Sequence, residues 1–175
     1  MSRAFVKDSD DDHTAGELPE RPVSARPNYV TANGLDQLQA RVRELNDQHE
    51  QLKALAEEDS GAKQKLREVE RDQRYFNAQL ERAIVVDPAA QPHHEVRFGA
   101  ELIVVDEDGQ QHHFNIVGDD EADVANGKIS WASPVAQAMI GAKVGDVVTW
   151  HRPAGDTDVE IVEISYPEST PKNAT

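Results

Sequence analysis

The chain has 175 residues, with 18 Lys plus Arg against 33 Asp plus Glu and a formal charge of −15. That length allows one or two domains with a modest core, and that charge excludes unaided electrostatic wrapping of nucleic acid or of an anionic membrane. With no Cys, disulfide frameworks, thiolate nucleophiles and Cys-ligated metal sites are excluded too, a usage that fits a reducing cytoplasm.

Residues 1–28 hold few large apolar side chains, the run Asp10-Asp11-Asp12, and Pro19, Pro22 and Pro27. They cannot bury enough surface to offset the entropy of ordering, so a disordered acidic arm is expected. The first residues turn acidic where a signal peptide needs an apolar core, and Leu102-Ile103-Val104-Val105 is far too short to span a bilayer. A soluble, non-exported, cytoplasmic chain is expected. The spacing Asp8-x-Asp10-x-Asp12 suggests a calcium loop, but His13 stands where that loop needs Gly and Pro19 where it needs Glu.

From Leu35 the apolar positions step by three and four through Leu38, Val42, Leu45, His49 and Leu52, and again through Leu66, Val69, Gln73, Phe76, Leu80 and Ala83. Each series is a coiled-coil seam. Glu57-Glu58-Asp59-Ser60-Gly61 lies between them with a Gly suited to a chain reversal, so the seams pair antiparallel with indices that sum to 118. Thr31 is the expected N-cap. The outer face carries mixed charge, such as Arg41, Glu44, Arg67 and Glu68, as a solvated surface does.

Residues 88–95 contain Pro88, Pro92 and His93-His94 and read as a linker. Beyond them the period changes to two. Strands are expected at 96–105, 112–117, 128–131, 147–151 and 159–164, with hairpin-type turns at Asp108-Gly109, Asn126-Gly127 and 153–156. A short helix at 134–140 opens on Ser133 as N-cap with Pro134 first, and closes at Gly141. The expected fold class is α+β: an antiparallel coiled-coil hairpin at 29–87, a linker at 88–95, an antiparallel β domain with one short helix at 96–166, and a disordered tail at 167–175.

The sequence holds no self-contained active site: no Gly-rich phosphate loop, nucleophile elbow or His-Glu-x-x-His helix occurs. Neighbouring His112 and His113 sit mid-strand and point to opposite faces, so they cannot share one ion. Two clusters remain. Glu57, Glu58 and Asp59 at the hairpin tip are oxygen ligands suited to a hard cation, or simply a solvated turn. Asp119, Asp120, Glu121 and Asp123, followed by an exposed Trp131 and the rigid corner Ser133-Pro134, suit a docking surface for a basic protein partner, or are simply a solvated loop.

These residues carry a resemblance. Phe98-Gly99-Ala100, the stretch 116–123, Ile129-Ser130-x-x-Ser133-Pro134-x-Ala136, Ile140-Gly141, Gly145-Asp146-x-Val148 and Pro153-x-Gly155 resemble the C-terminal domain of the bacterial transcript cleavage factors GreA and GreB. Thr31-x-x-Gly34-x-x-x-Leu38 and Ala83-x-Val85-Val86-Asp87 resemble the two ends of that family's coiled coil. The resemblance covers 29–166. It implies an FKBP-like C-terminal domain that docks on the rim of the RNA polymerase secondary channel, and a finger that enters the channel as a transcription elongation factor.

The tip departs from the family. Gre factors carry a tip like Gly-Asp-x-x-Glu-Asn-Ala-Glu-Tyr, whose carboxylates help hold a catalytic Mg²⁺ of the polymerase; here it is Ala56-Glu57-Glu58-Asp59-Ser60-Gly61-Ala62. The finger is also shorter by about thirteen residues, roughly two turns per arm or about 10 Å of reach, and resembles that of the regulator of nucleoside diphosphate kinase. The implied protein has no active site, metal or cofactor of its own and shares at most the polymerase Mg²⁺ through Glu57, Glu58 and Asp59. It is a monomer that meets DNA only through the polymerase and has no membrane partner. Two other readings stand beside it: an FKBP-like peptidyl-prolyl isomerase or chaperone, and a coiled-coil adaptor.

Overall fold

The computed structural model describes residues 18–167. The arm expected at 1–28 lies outside it up to residue 17, and so does the expected tail from 168 on. Residues 18–27 have no regular secondary structure, yet they are seated on a helix: Arg74 donates to both carboxylate oxygens of Glu20, at 2.5 and 3.2 Å. The Arg21 guanidinium lies 3.9 Å over the Tyr75 ring. An anion and a cation of this short stretch, Glu20 and Arg21, therefore find basic and aromatic partners on the helix that composition does not reveal.

Strand β1 (Asn28–Val30) leads through Thr31 into α1 (Ala32–Leu55). As expected, Thr31 is the N-cap, its hydroxyl accepting from Gly34 N at 2.9 Å. Helix α2 (Ser60–Glu81) opens on Asp59, whose carboxylate accepts from Gly61 N at 2.8 Å. The reversal is therefore made by the residues before Asp59, and Gly61, expected at the turn, lies inside the helix. Gln73 donates to Asn46 at 2.9 Å and His49 meets Glu70 at 3.4 Å, two pairs whose indices both sum to 119. Leu38, Leu45 and Val69 are buried between the helices, with Leu45 only 1% exposed. The seam ends sooner than expected: Ala83 belongs to β2 (Ala83–Val85), which pairs in parallel with β1 through Asn28 opposite Ala83 and Val30 opposite Val85.

Residues 88–90 form one 3-10 turn capped by Asp87, with Pro88 buried. The strand expected from residue 96 starts later, as β3 (Glu101–Asp106), because Gly99 at φ 84 turns the chain beneath Pro88. Then follow β4 (Gln111–Val117), β5 (Lys128–Ser130), α3 (Pro134–Met139), β6 (Val147–Trp150) and β7 (Thr157–Ser165), in the spatial order β5-β4-β3-β7-β6. A register shift between Ile103 and Val104 in the β3–β7 ladder helps to curl the sheet.

The sheet is mixed, which corrects the antiparallel expectation: β5 runs parallel to β4, with Asn115 opposite Lys128 and Val117 opposite Ser130. Residues 118–127 return along the sheet edge through two 3-10 turns, so Asn126-Gly127 opens a parallel strand and closes no hairpin. Gly127, at φ 74, passes so near the backbone that a Cβ there would lie 2.6 Å from His113 O. Leu102, Val104, Ile116, Val159 and Ile161 build the core under Ala136 and Met139 of α3. As expected, Ser133 caps α3, with Pro134 in its first turn.

Candidate functional site

The tip sits at the far end of the two helices from β1 and β2. Glu57 and Glu58 are exposed between α1 and α2, while Asp59 is engaged in capping α2. Among the described residues no group of three His, Asp or Glu side chains is placed to hold a metal ion. The tip thus presents two solvated carboxylates and one that is already hydrogen-bonded to the backbone.

The second cluster lies at the opposite end, where the helices meet the sheet. Its acidic side chains do not form one outward patch. Asp119 is exposed and accepts a hydrogen bond from Ser130 Oγ, and Asp123 is exposed and accepts from Asn126 at 2.6 Å. Asp120 turns inward, accepting from the Tyr75 hydroxyl at 2.9 Å and from Gln79 Nε2 at 2.7 Å. Glu121 also turns inward, to the Thr31 hydroxyl at 2.7 Å and Asn33 Nδ2 at 3.1 Å. Burial first, and the Asp120 carboxylate second, push the Tyr75 hydroxyl up to about 12, so it remains a protonated donor at neutral pH.

Trp131, expected exposed, is half-buried with its ring edge-on to Tyr29 at 5.0 Å between centroids. Its carbonyl accepts from Gln137 at 2.7 Å, which holds the corner against α3. Ser133 is half-buried and Pro134 exposed. Of the residues expected to dock, those exposed are therefore Asp119, Asp123 and Pro134, with Val124, 80% exposed, directly after Asp123 at the start of the second 3-10 turn. An exposed apolar side chain next to the exposed carboxylate of Asp123 suits a basic partner that also offers an apolar contact.

Sequence reasoning left Tyr75, Gln79 and Asn33 out of the site. A signal was present, because Asp72, Tyr75, Gln79 and Arg82 recur at helical spacing beside the apolar seam of α2. His112 behaves as a structural residue: its Nε2 lies 2.8 Å from Asp106 Oδ2, and its ring packs on Phe114 and Trp150.

A family model described as the C-terminal part of the GreA/GreB transcription elongation factors matches residues 91–166. The transcription elongation factor GreA of Alkalilimnicola ehrlichii is 40% identical over 154 residues, which cover 86% of this chain and 89% of that protein. GreB of Neisseria meningitidis serogroup B is 40% identical over 105 residues, or 59% of this chain; the match spans 64% of that relative, less than two thirds of its length. A solved GreA/GreB structure from Nitrosomonas europaea is 25% identical, covering 79% of this chain and 98% of that one, at a TM-score of 0.40.

Proposed function

The chain belongs to the GreA/GreB transcription elongation factor family, and from that premise we propose that it binds bacterial RNA polymerase and acts through the secondary channel. The sheet domain, read as FKBP-like, docks on the rim of the channel, and α1 and α2 form an antiparallel coiled-coil finger that points inward. The observation that carries this reading is the match to a full-length GreA relative, over a stretch too long to omit either the helices or the sheet. Docking is assigned to Asp119, Asp123, Ser133 and Pro134, with Val124 added from its exposure. The −10 net charge of residues 88–175 attracts a basic rim at long range, and added salt weakens it.

Chemistry at the tip belongs to the polymerase. Metal-assisted phosphodiester hydrolysis requires oxygen ligands about 2.0–2.1 Å from Mg²⁺ in near-octahedral geometry. Helices of 24 and 22 residues reach roughly 36 and 33 Å. With the shorter finger that the family resemblance implies, Glu57 and Glu58 stop about two helical turns short of the metal, more than any side chain spans. Asp59 is also held in its cap. The protein therefore occupies the channel, alters nucleotide access and competes with longer factors, while stimulating cleavage weakly or not at all. A backtracked elongation complex tests this: the natural chain should bind and displace a cleavage factor, with little shortening of the transcript. Robust cleavage that is abolished by Glu57→Ala, Glu58→Ala or Asp59→Ala overturns the occlusion reading and makes the protein a cleavage factor.

A further inference from the structure

We infer that Asp120 and Glu121 form a joint that sets the direction of the helical finger, and that they are positioning residues rather than docking charges. Both oxygens of both carboxylates are engaged, and the donors come from the two ends of the hairpin. Glu121 takes Thr31 and Asn33 at the start of α1, and Asp120 takes Tyr75 and Gln79 in the last turns of α2. One short loop thus grips both helices where they leave the sheet domain.

The loop is itself fixed to the sheet. Gly118 passes so close to β1 that a Cβ would fall 2.5 Å from Tyr29 O, and Asp119 receives the Ser130 hydroxyl of β5. Gln79, only 4% exposed, accepts from Asn28 Nδ2 on its backbone carbonyl at 2.8 Å and donates its side-chain amide to Asp120, tying β1, α2 and the loop together. On the far side of Tyr75 the N-terminal segment adds a brace: Arg21 covers the ring and lies 3.5 Å from Asp72. Gly34 completes the fit, since a Cβ at that position would meet Glu121 Oε2 at 2.6 Å.

Leverage makes such a joint matter. A swing of about 10° at the base moves the end of a finger of roughly 36 Å by about 6 Å. A factor that works by placing its tip inside a channel therefore depends on these four side-chain hydrogen bonds as much as on its docking face.

The inference rests on the proposed function only for its consequence at the polymerase; its test is made on the free, full-length protein. The chain lacks Cys, so Lys53→Cys near the tip and Glu107→Cys on the β3–β4 turn give a unique spin-label pair whose distance distribution reads finger direction. The background pair should give one narrow distribution. Asp120→Ala with Glu121→Ala should broaden it at least twofold, and Tyr75→Phe, which removes one hydroxyl and keeps the ring, should broaden it less. Asp120→Asn with Glu121→Gln deletes both charges but retains an acceptor for Gln79 and for Asn33, and donors to the Tyr75 and Thr31 oxygens, so it should restore the narrow distribution. Folding of each variant is checked by its cooperative melt. An unchanged distribution in the alanine pair, or equal broadening in the amide pair, overturns the inference. Against polymerase, the amide pair should keep the natural protein's affinity, whereas docking charges would lose it by tenfold or more.

Discussion

Leu45 is the most buried side chain of the finger, at 1% exposure, in a seam only two helices thick. Replacing a buried Leu by Ala costs about 2–5 kcal/mol, through lost transfer free energy and the cavity left behind. A two-helix seam open to solvent on its flanks can relax, so a value of ~3 kcal/mol is expected. The sheet domain has its own core of Leu102, Val104, Ile116, Met139, Val159 and Ile161. The loss should therefore fall on local opening of the finger and not on the whole molecule. In native-state hydrogen exchange, protection of the buried-seam amides of α1 and α2 should fall by roughly 150-fold in Leu45→Ala. Amides of β3, β4 and β7 should change by less than threefold. Equal loss in both regions would refute the reasoning, since it would make finger and sheet a single cooperative unit; unchanged protection in α1 and α2 would show that the seam is not what holds the helices together.

Gly118 has an ordinary φ of −70, so Gly118→Ala strains no backbone dihedral and tests the close approach to Tyr29 O alone. It should destabilise by about 1–3 kcal/mol and lower Tm by roughly 2–10 °C in calorimetry. The His112 hydrogen bond first, then the backbone amide of Gln110, hold the Asp106 carboxyl below its ordinary value of 3.8. Its stabilising contribution is thus complete above that value and is lost as the pH falls through it toward the folded-state pKa, so acid unfolding followed by circular dichroism should be shallower in Asp106→Asn. Pro134→Ala removes a preset φ at the exposed corner of α3 and should weaken polymerase binding about three- to tenfold in a filter or interferometry assay, with no change in finger direction.

The elements that sequence made legible were those set by local physics. The three-and-four spacing of Leu38, Leu45 and Val69 places them between α1 and α2. Thr31, Ser133 and Pro134 mark helix starts because a cap hydroxyl and a ring-fixed φ act on their own neighbours. What stayed hidden depends on distant partners. Asn28–Val30 is too short to show a period, and its ladder to Ala83–Val85 joins residues 55 apart in the chain. The parallel placement of β5 could not be read from Asn126-Gly127, since the same left-handed glycine serves a hairpin or a crossover. Most telling is the acidic stretch: Asp119 and Asp123 face solvent while Asp120 and Glu121 face the helices, and four carboxylates within five loop positions carry no periodicity that would sort them.

The parallel pair β1 and β2 fastens the first and last residues of the helical excursion to each other. Everything from Thr31 to Arg82 is thus a closed loop of chain whose length the remainder of the molecule does not sense. Seven residues inserted into each arm at mirrored seam positions would preserve the apolar register and both caps, and would advance the tip by about 10 Å. Reach and attachment are in this architecture separate variables, so one docking body can serve fingers of several lengths, and a change of regulatory behaviour needs no change in where the protein sits.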